Sequence, residues 1–265
     1  MNKTINIIPA DPAGNKTIFV TTSVARKHYQ EVASYLLSLD EYEAEQVAFI
    51  LPDNSMEMCG MEFCGNASRT YGLIYAKHLA ENGDTPLKGS VMIHVSGSDK
   101  ALTVEYDLET NYTKIDMPVP VSITDHGDDI LVNLGGIMHL VTTNKKADPN
   151  TFQRLKNRLM SELDPPALGV MFYDKDTSEL TPVVYVADVD STYFEGSCAS
   201  GTVAVAAAMT QDMEDCDEII TIKQPKGTLI TEIKKRQNKI ISVSIEGPVI
   251  IDDEVTLQLP QELQI

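Results

Sequence analysis

Two cysteines occupy corresponding settings in the chain. Cys64 lies in EFCGNAS (residues 62–68) and Cys198 in GSCASGT (residues 196–202). In both, small polar residues and glycine follow the sulfur, and a helix is expected next, over 66–79 and 201–209. A helix N-terminus carries unpaired N–H groups and a macrodipole equivalent to roughly half a positive charge. A thiol placed there is expected to ionise more readily than a free cysteine, and the thiolate is the reactive form. The N–H groups of Gly65 and Asn66, and those of Ala199 and Ser200, are suited to hold a carboxylate. If one sulfur addresses each face of a bound α-carbon, one thiolate removes the α-proton while the opposite thiol delivers another. Such a pair shares one proton, so its titrations are coupled. Each proton-transfer partner contributes about 10²- to 10⁴-fold.

The elements that position these sulfurs come in two sets. IFVTT (18–22) returns as HLVTT (139–143), and VAFIL (47–51) as VMFYD (170–174). EFCGNASRTYGL pairs with GSCASGTVAVAA, IHVSGSDKALTVEY with TIKQPKGTLITEI, and KIDMPVPV with VSIEGPVI, all in the same order. Ordered self-similarity of this kind reads as a duplicated domain. The expected division is 1–122 and 123–265, joined near SITDHGDD (122–129), with the last residues returning to the N-terminal lobe. Short β-branched segments such as TIFVTTS, EQVAFIL, SVMIHVSG, ALTVEYD and YTKIDMPV read as strands. Residues 24–39 place Val24, Tyr29, Val32, Tyr35 and Leu36 at helical spacing, and DPNTFQRLKNRLMSEL (148–163) is the counterpart in the second half. Each half is therefore a sheet with about two helices, an α+β pattern.

Composition narrows the function. The chain has 265 residues, and 21 Lys+Arg against 39 Asp+Glu give a formal charge of −18. Such a surface repels phosphate backbones and anionic lipid, which argues against nucleic acid and membrane as partners and for a small molecule. The N-terminal residues show no apolar signal core, and VAVAAAM (203–209) is far shorter than the ~20 residues of a membrane span. Four cysteines suit a reducing cytoplasm, with Cys59 and Cys216 read as small hydrophobic side chains. His139 and the other histidines lack metal-ligand spacing, so no metal is expected. No lysine has a recognisable Schiff-base setting, and PKGTLI (225–230) opens a strand rather than a helix, so no cofactor is expected either.

FCGNAS and SCASGT resemble the two active-site motifs of the diaminopimelate epimerase-like amino-acid racemases, which work without pyridoxal phosphate. PAGNKTIFV (12–20) and EQVAFI (45–50) are similar to further stretches of that family. The resemblance implies two pseudo-symmetric α/β-barrel-like lobes, each a mainly antiparallel sheet around a central helix, with the substrate between them. It implies Cys64 and Cys198 as the catalytic pair, Asn15, Gln46 and Asn66 at the substrate's amino-acid end, and Ala199 and Ser200 at its carboxylate. A homodimer is also implied. The chain departs from the epimerase proper at GGIMH (135–139), at Ala167 and in lacking an arginine ahead of the second cysteine. In EFCGNA and E-x-S-C-x-S-G-T it looks more like the histidine racemases of the staphylopine-type metallophore pathway and their lactic-acid-bacterial relatives. On that reading Asp190 or Glu195 accepts an imidazole N–H. Diaminopimelate, or another amino acid taken by the same scaffold, is the alternative substrate. A redox or binding module with a switchable disulfide is the alternative outside racemisation.

Overall fold

The computed structural model describes residues 3–83, 85–187 and 190–263. The chain divides into two compact units, one running to Ile115 and resuming at Glu246, the other Asp116–Ile245.

In the first unit β1 (Thr4–Asp11) is antiparallel to β2 (Thr17–Val20). A 3-10 turn at Arg26–His28 and helix α1 (Tyr29–Leu37) cross over to β3 (Gln46–Ile50), parallel to β2. β4 (Ser55–Met58) turns back antiparallel on β3. Helix α2 (Gly65–Glu81) then crosses to β5 (Lys88–Val95), parallel to β4, and β6 (Leu102–Asp107) and β7 (Tyr112–Asp116) continue as an antiparallel meander.

The second unit starts with the hairpin β8 (Ser122–His126) and β9 (Asp129–Asn133). From β9 onward the pairings repeat those of the first unit. β10 (Met138–Thr142) is antiparallel to β9, and α3 (Pro149–Leu163) crosses to β11 (Ala167–Asp174), parallel to β10. β12 (Glu179–Val186) returns antiparallel on β11 and also carries β13 (Ser191–Phe194). Helix α4 (Ala199–Met209) crosses to β14 (Cys216–Gln224), which pairs parallel to β12 at Glu179 and antiparallel to β15 (Gly227–Arg236). The chain leaves through β16 (Lys239–Pro248) and ends with β17 (Ile250–Ile251) and β18 (Val255–Gln258), both antiparallel on β1. The architecture is α+β, dominated by strands.

Local chemistry explains the helices. Asp148 caps α3 by accepting the N–H groups of Asn150 and Thr151, and Pro149 fits the first helical position, where no N–H partner is needed. The apolar stripe of α3, Phe152, Leu155 and Leu159, packs on Leu140, Leu168, Val170 and Phe172. Val32 and Leu36 of α1 pack on Ile5, Ile7, Ile18, Val20 and Phe49, and Leu259 and Leu263 from the chain's end join this core. Burying each such side chain contributes about 1.5–3 kcal/mol. Helix α4 differs, because Ala, Val and Gly cover its whole circumference and nearly every residue is buried. That composition is what a helix surrounded by protein requires. Among the described residues no helix is long and apolar enough to cross a membrane.

Candidate active site

Cys64 is the N-cap of α2, with φ −123° and ψ 111°. Its sulfur accepts the N–H of Ala67 at 3.4 Å, and its carbonyl accepts that of Ser68 at 2.8 Å. The N–H groups of Gly65 and Asn66 precede the first helical hydrogen bonds and have no carbonyl one turn back. The turn after β5 ties down the segment leading to the cysteine. Ser96 Oγ donates to the Glu62 carbonyl at 2.8 Å and accepts the Met58 N–H at 2.9 Å. Gly97, at φ +70°, lies against the Phe63 amide so closely that a Cβ would collide with backbone.

Behind the first turn of α2, Asn66 and Arg69 are both buried. Arg69 Nε donates to Asn66 Oδ1 at 3.1 Å, and Nη1 donates to Thr113 Oγ1 at 3.1 Å and to the Gly247 carbonyl at 2.9 Å. Burial pulls this guanidinium down to about 10, against the attraction of Tyr112, Cys64 and Asp11, so it remains a cation at neutral pH. Asn15 and Gln46 are brought together elsewhere in the unit, at the starts of β2 and β3. Gln46 Nε2 donates to Asn15 Oδ1 at 3.2 Å, and Asn15 Nδ2 donates to Glu45 at 3.1 Å. Gln46 Oε1 is buried without a hydrogen-bond partner among the described residues. The loop before Asn15 turns through Ala13 and Gly14, both at positive φ, and the Gly14 N–H donates to Asp11.

Cys198 is the N-cap of α4 with the same backbone angles, φ −123° and ψ 111°. Its sulfur accepts the Gly201 N–H at 3.3 Å, and its carbonyl accepts the Thr202 N–H at 3.0 Å. Gly201 has no room for a side chain, since a Cβ would strike Met171 Sδ and sit 3.2 Å from the Cys198 sulfur. Gln224, at the end of β14, accepts the Cys198 N–H at 2.7 Å and donates to Thr202 Oγ1 at 3.0 Å. Ala199 and Ser200 open the helix, and Ser200 Oγ lies 3.4 Å from the Cys198 sulfur and 2.9 Å from His139 Nε2. His139 is fully buried, and burial lowers its pKa to about 3, so the ring is neutral. Its Nδ1 has no hydrogen-bond partner among the described residues.

One expectation is corrected here. The helix mouth was expected to ease ionisation of both thiols, yet the Cys198 thiol is pushed well above the usual range. Burial is the largest cause. The hydrogen-bonded carboxylate of Glu195 adds to it, and together they outweigh the opposing hydrogen bonds from Ser200 and Gly201. Glu195 therefore engages the sulfur. Asp190, at φ 45°, accepts the Tyr185 hydroxyl at 2.9 Å. Arg69 and Gln224 escaped sequence reading because an arginine within a helix, or a glutamine beside a Pro-Lys-Gly turn, ordinarily reads as a solvated side chain. The signal lay in the repeat, which aligns Gln224 with Ser96, the two residues that tie down the segments before the cysteines.

The model of the histidine racemase CntK N-terminal domain matches residues 4–256. The chain belongs to this family. A histidine racemase of Fusobacterium nucleatum is 31% identical over 261 residues, covering 93% of this chain and 94% of the relative. One from Staphylococcus aureus is 27% identical over 260 residues, covering 90% and 92%. Two solved structures show that the chain's fold is shared more widely. A PhzF-family phenazine biosynthesis protein of Bacillus anthracis gives a TM-score of 0.66 at 14% identity, covering 97% of this chain and 100% of that one. A hydroxyproline epimerase of Agrobacterium vitis with bound trans-4-hydroxy-L-proline gives 0.61 at 11% identity, covering 99% and 95%.

Proposed function

We propose that the chain is a cofactor-independent histidine racemase that inverts the α-carbon by a two-base mechanism, with Cys64 and Cys198 as the proton-transfer pair. The observation that carries this reading is the pair of cysteine N-caps. In two units with the same order of strand pairings, a sulfur caps a helix at the same φ and ψ and accepts the N–H three residues on. Family membership supplies the reaction class, and the relatives named for histidine racemisation supply the substrate.

The reading requires two barrel-like lobes, each built around its capped helix, to present the sulfurs to opposite faces of one bound Cα. The amides of Gly65, Asn66, Ala199 and Ser200 then receive the substrate's carboxylate and the charge that grows on it as the α-proton leaves. Asn15 and Gln46 take the substrate's polar end, and the unpartnered Gln46 Oε1 is a ready acceptor for an ammonium N–H. Glu195 and burial keep a proton on Cys198, the form able to deliver it.

The test is incubation with L-histidine in D₂O without added pyridoxal phosphate, followed by chiral separation and mass analysis. D-Histidine carrying deuterium at Cα is the expected product, and product lacking it would refute the mechanism. Cys64→Ser and Cys198→Ser should each lower turnover by about 10²-fold or more. Full activity in either variant removes that residue from the pair. A parallel incubation with diaminopimelate should show no turnover.

A further inference from the structure

Arg69 is a buried cation placed where the reaction has use for one. Its guanidinium lies under the first turns of α2, fully shielded from solvent. Among the described residues no carboxylate lies within ion-pair distance of it. Its hydrogen bonds go to neutral acceptors: Asn66 Oδ1, Thr113 Oγ1, the Gly247 carbonyl and the Pro248 carbonyl. Nη2 is buried and has no hydrogen-bond partner among the described residues. Taking a cation out of water costs several kcal/mol unless nearby negative charge offsets it. A fold seeking stability alone gains little from an arginine here.

The groups whose fields reach Arg69 are Tyr112 from β7, Cys64 from the N-cap of its own helix and Asp11 from β1. Tyr112 is held neutral by burial and by Glu246, and Asp11 accepts the Gly14 N–H in the loop before Asn15. Glu62, two positions before Cys64, acts on Cys59. The attraction between Arg69 and Cys64 is reciprocal, so a sulfur that stabilises the guanidinium is itself favoured as the anion. The second cysteine has the opposite surroundings, with a carboxylate, Glu195, hydrogen-bonded to a buried thiol. The matched helix caps thus sit in unlike fields.

We infer that Arg69 is a positioning residue for the racemase reaction. It locks the Asn66 amide with its Nε–H, and its buried charge holds the proton deficit of the cysteine pair on Cys64. The inference rests on the racemase reading for its catalytic meaning, but its electrostatic half can be read without turnover. With the Asn66 oxygen occupied by Arg69, the Asn66 NH₂ is the group left to meet a ligand. With the charge at Cys64, the resting protein is poised to accept a proton there and to donate one from Cys198.

The experiment compares the full-length protein with Arg69→Met and Arg69→Lys, each checked for folding by circular dichroism. The pH dependence of iodoacetamide alkylation is followed separately at Cys64 and Cys198 by peptide mass spectrometry. In Arg69→Met the Cys64 midpoint should rise by about one pH unit or more, while that of Cys198 stays in place. Arg69→Lys should keep the Cys64 midpoint near the parent's but raise KM for histidine more than it lowers kcat, because an ammonium cannot reproduce the guanidinium fork. An unchanged Cys64 midpoint in folded Arg69→Met overturns the inference. If that variant does not fold, the parent protein decides through its own Cys64 midpoint, which must lie below the ordinary thiol value of about 8.5. A midpoint at or above it overturns the inference. A parent that racemises no amino acid defeats the functional reading while leaving the alkylation result to stand or fall by itself.

Discussion

Lowering the pH should destabilise the protein through His139, by an amount that follows from the ring's burial. The unfolded chain offers an ordinary imidazole with a pKa near 6.5. The folded protein holds it at about 3, because desolvation penalises the charged form. Above about pH 6.5 neither state binds the proton, and this contribution to stability is fully present. Between about 6.5 and 3 the unfolded state takes up a proton that the folded state refuses. Stability then falls by about 1.4 kcal/mol per pH unit, or about 2 kcal/mol by pH 5. Urea unfolding at several pH values measures this, followed by far-UV circular dichroism or tyrosine fluorescence because the chain has no tryptophan. His139→Gln retains an amide that can face Ser200 but has nothing to titrate. It should be less stable at pH 7.5, yet lose about 2 kcal/mol less than the parent between pH 7.5 and 5. The carboxylates and the remaining histidines are common to both proteins and cancel in the difference. Parallel pH profiles would refute the argument, for they would mean that the folded protein protonates His139 as readily as the unfolded chain does.

Two further substitutions test how the second sulfur is held. Gly201→Ala puts a methyl group against Met171 and the Cys198 sulfur, so the parent's activity should fall by about 10-fold or more while the loss of stability stays within about 1–3 kcal/mol. Initial rates set beside urea midpoints separate the two effects, and an unimpaired rate would show that the sulfur tolerates displacement. Gln224→Ala leaves the Cys198 N–H without its buried acceptor and should cost about 1–3 kcal/mol. Thermal unfolding should register that as a fall of several degrees, and an unchanged midpoint would mean that water replaces the amide.

The parts of the fold that follow local rules could be read from the sequence. The two capped helices, the α3 stripe with Asp148 and Pro149, and the repeated β–helix–β order all announce themselves through periodicity, caps and recurrence. Helix bounds shifted by a residue or two, as at Gly65 and Ala199, because a cysteine cap is not part of the usual Ser, Thr, Asp and Asn signal. The electrostatics could not be read in this way. Whether a cysteine at a helix mouth ionises depends on how deeply it is buried and which charges face it, and although Glu195 and Arg69 are near neighbours of the cysteines in sequence, only the fold decides which way they turn. Nor does spacing reveal that His139 reaches Ser200 from a strand sixty-one positions earlier in the chain.

The closing segment of the chain bears on how the protein is made. β17 and β18 pair with β1, and Leu259 and Leu263 complete a core begun by Ile5 and Ile7. During synthesis on the ribosome β1 can pair early with β2, but its other edge must wait until β17 and β18 have emerged. The intervening unit has all its residues in hand well before that, so it is free to mature first. Deleting β17 and β18 would therefore do its damage at β1, about 240 positions earlier in the sequence.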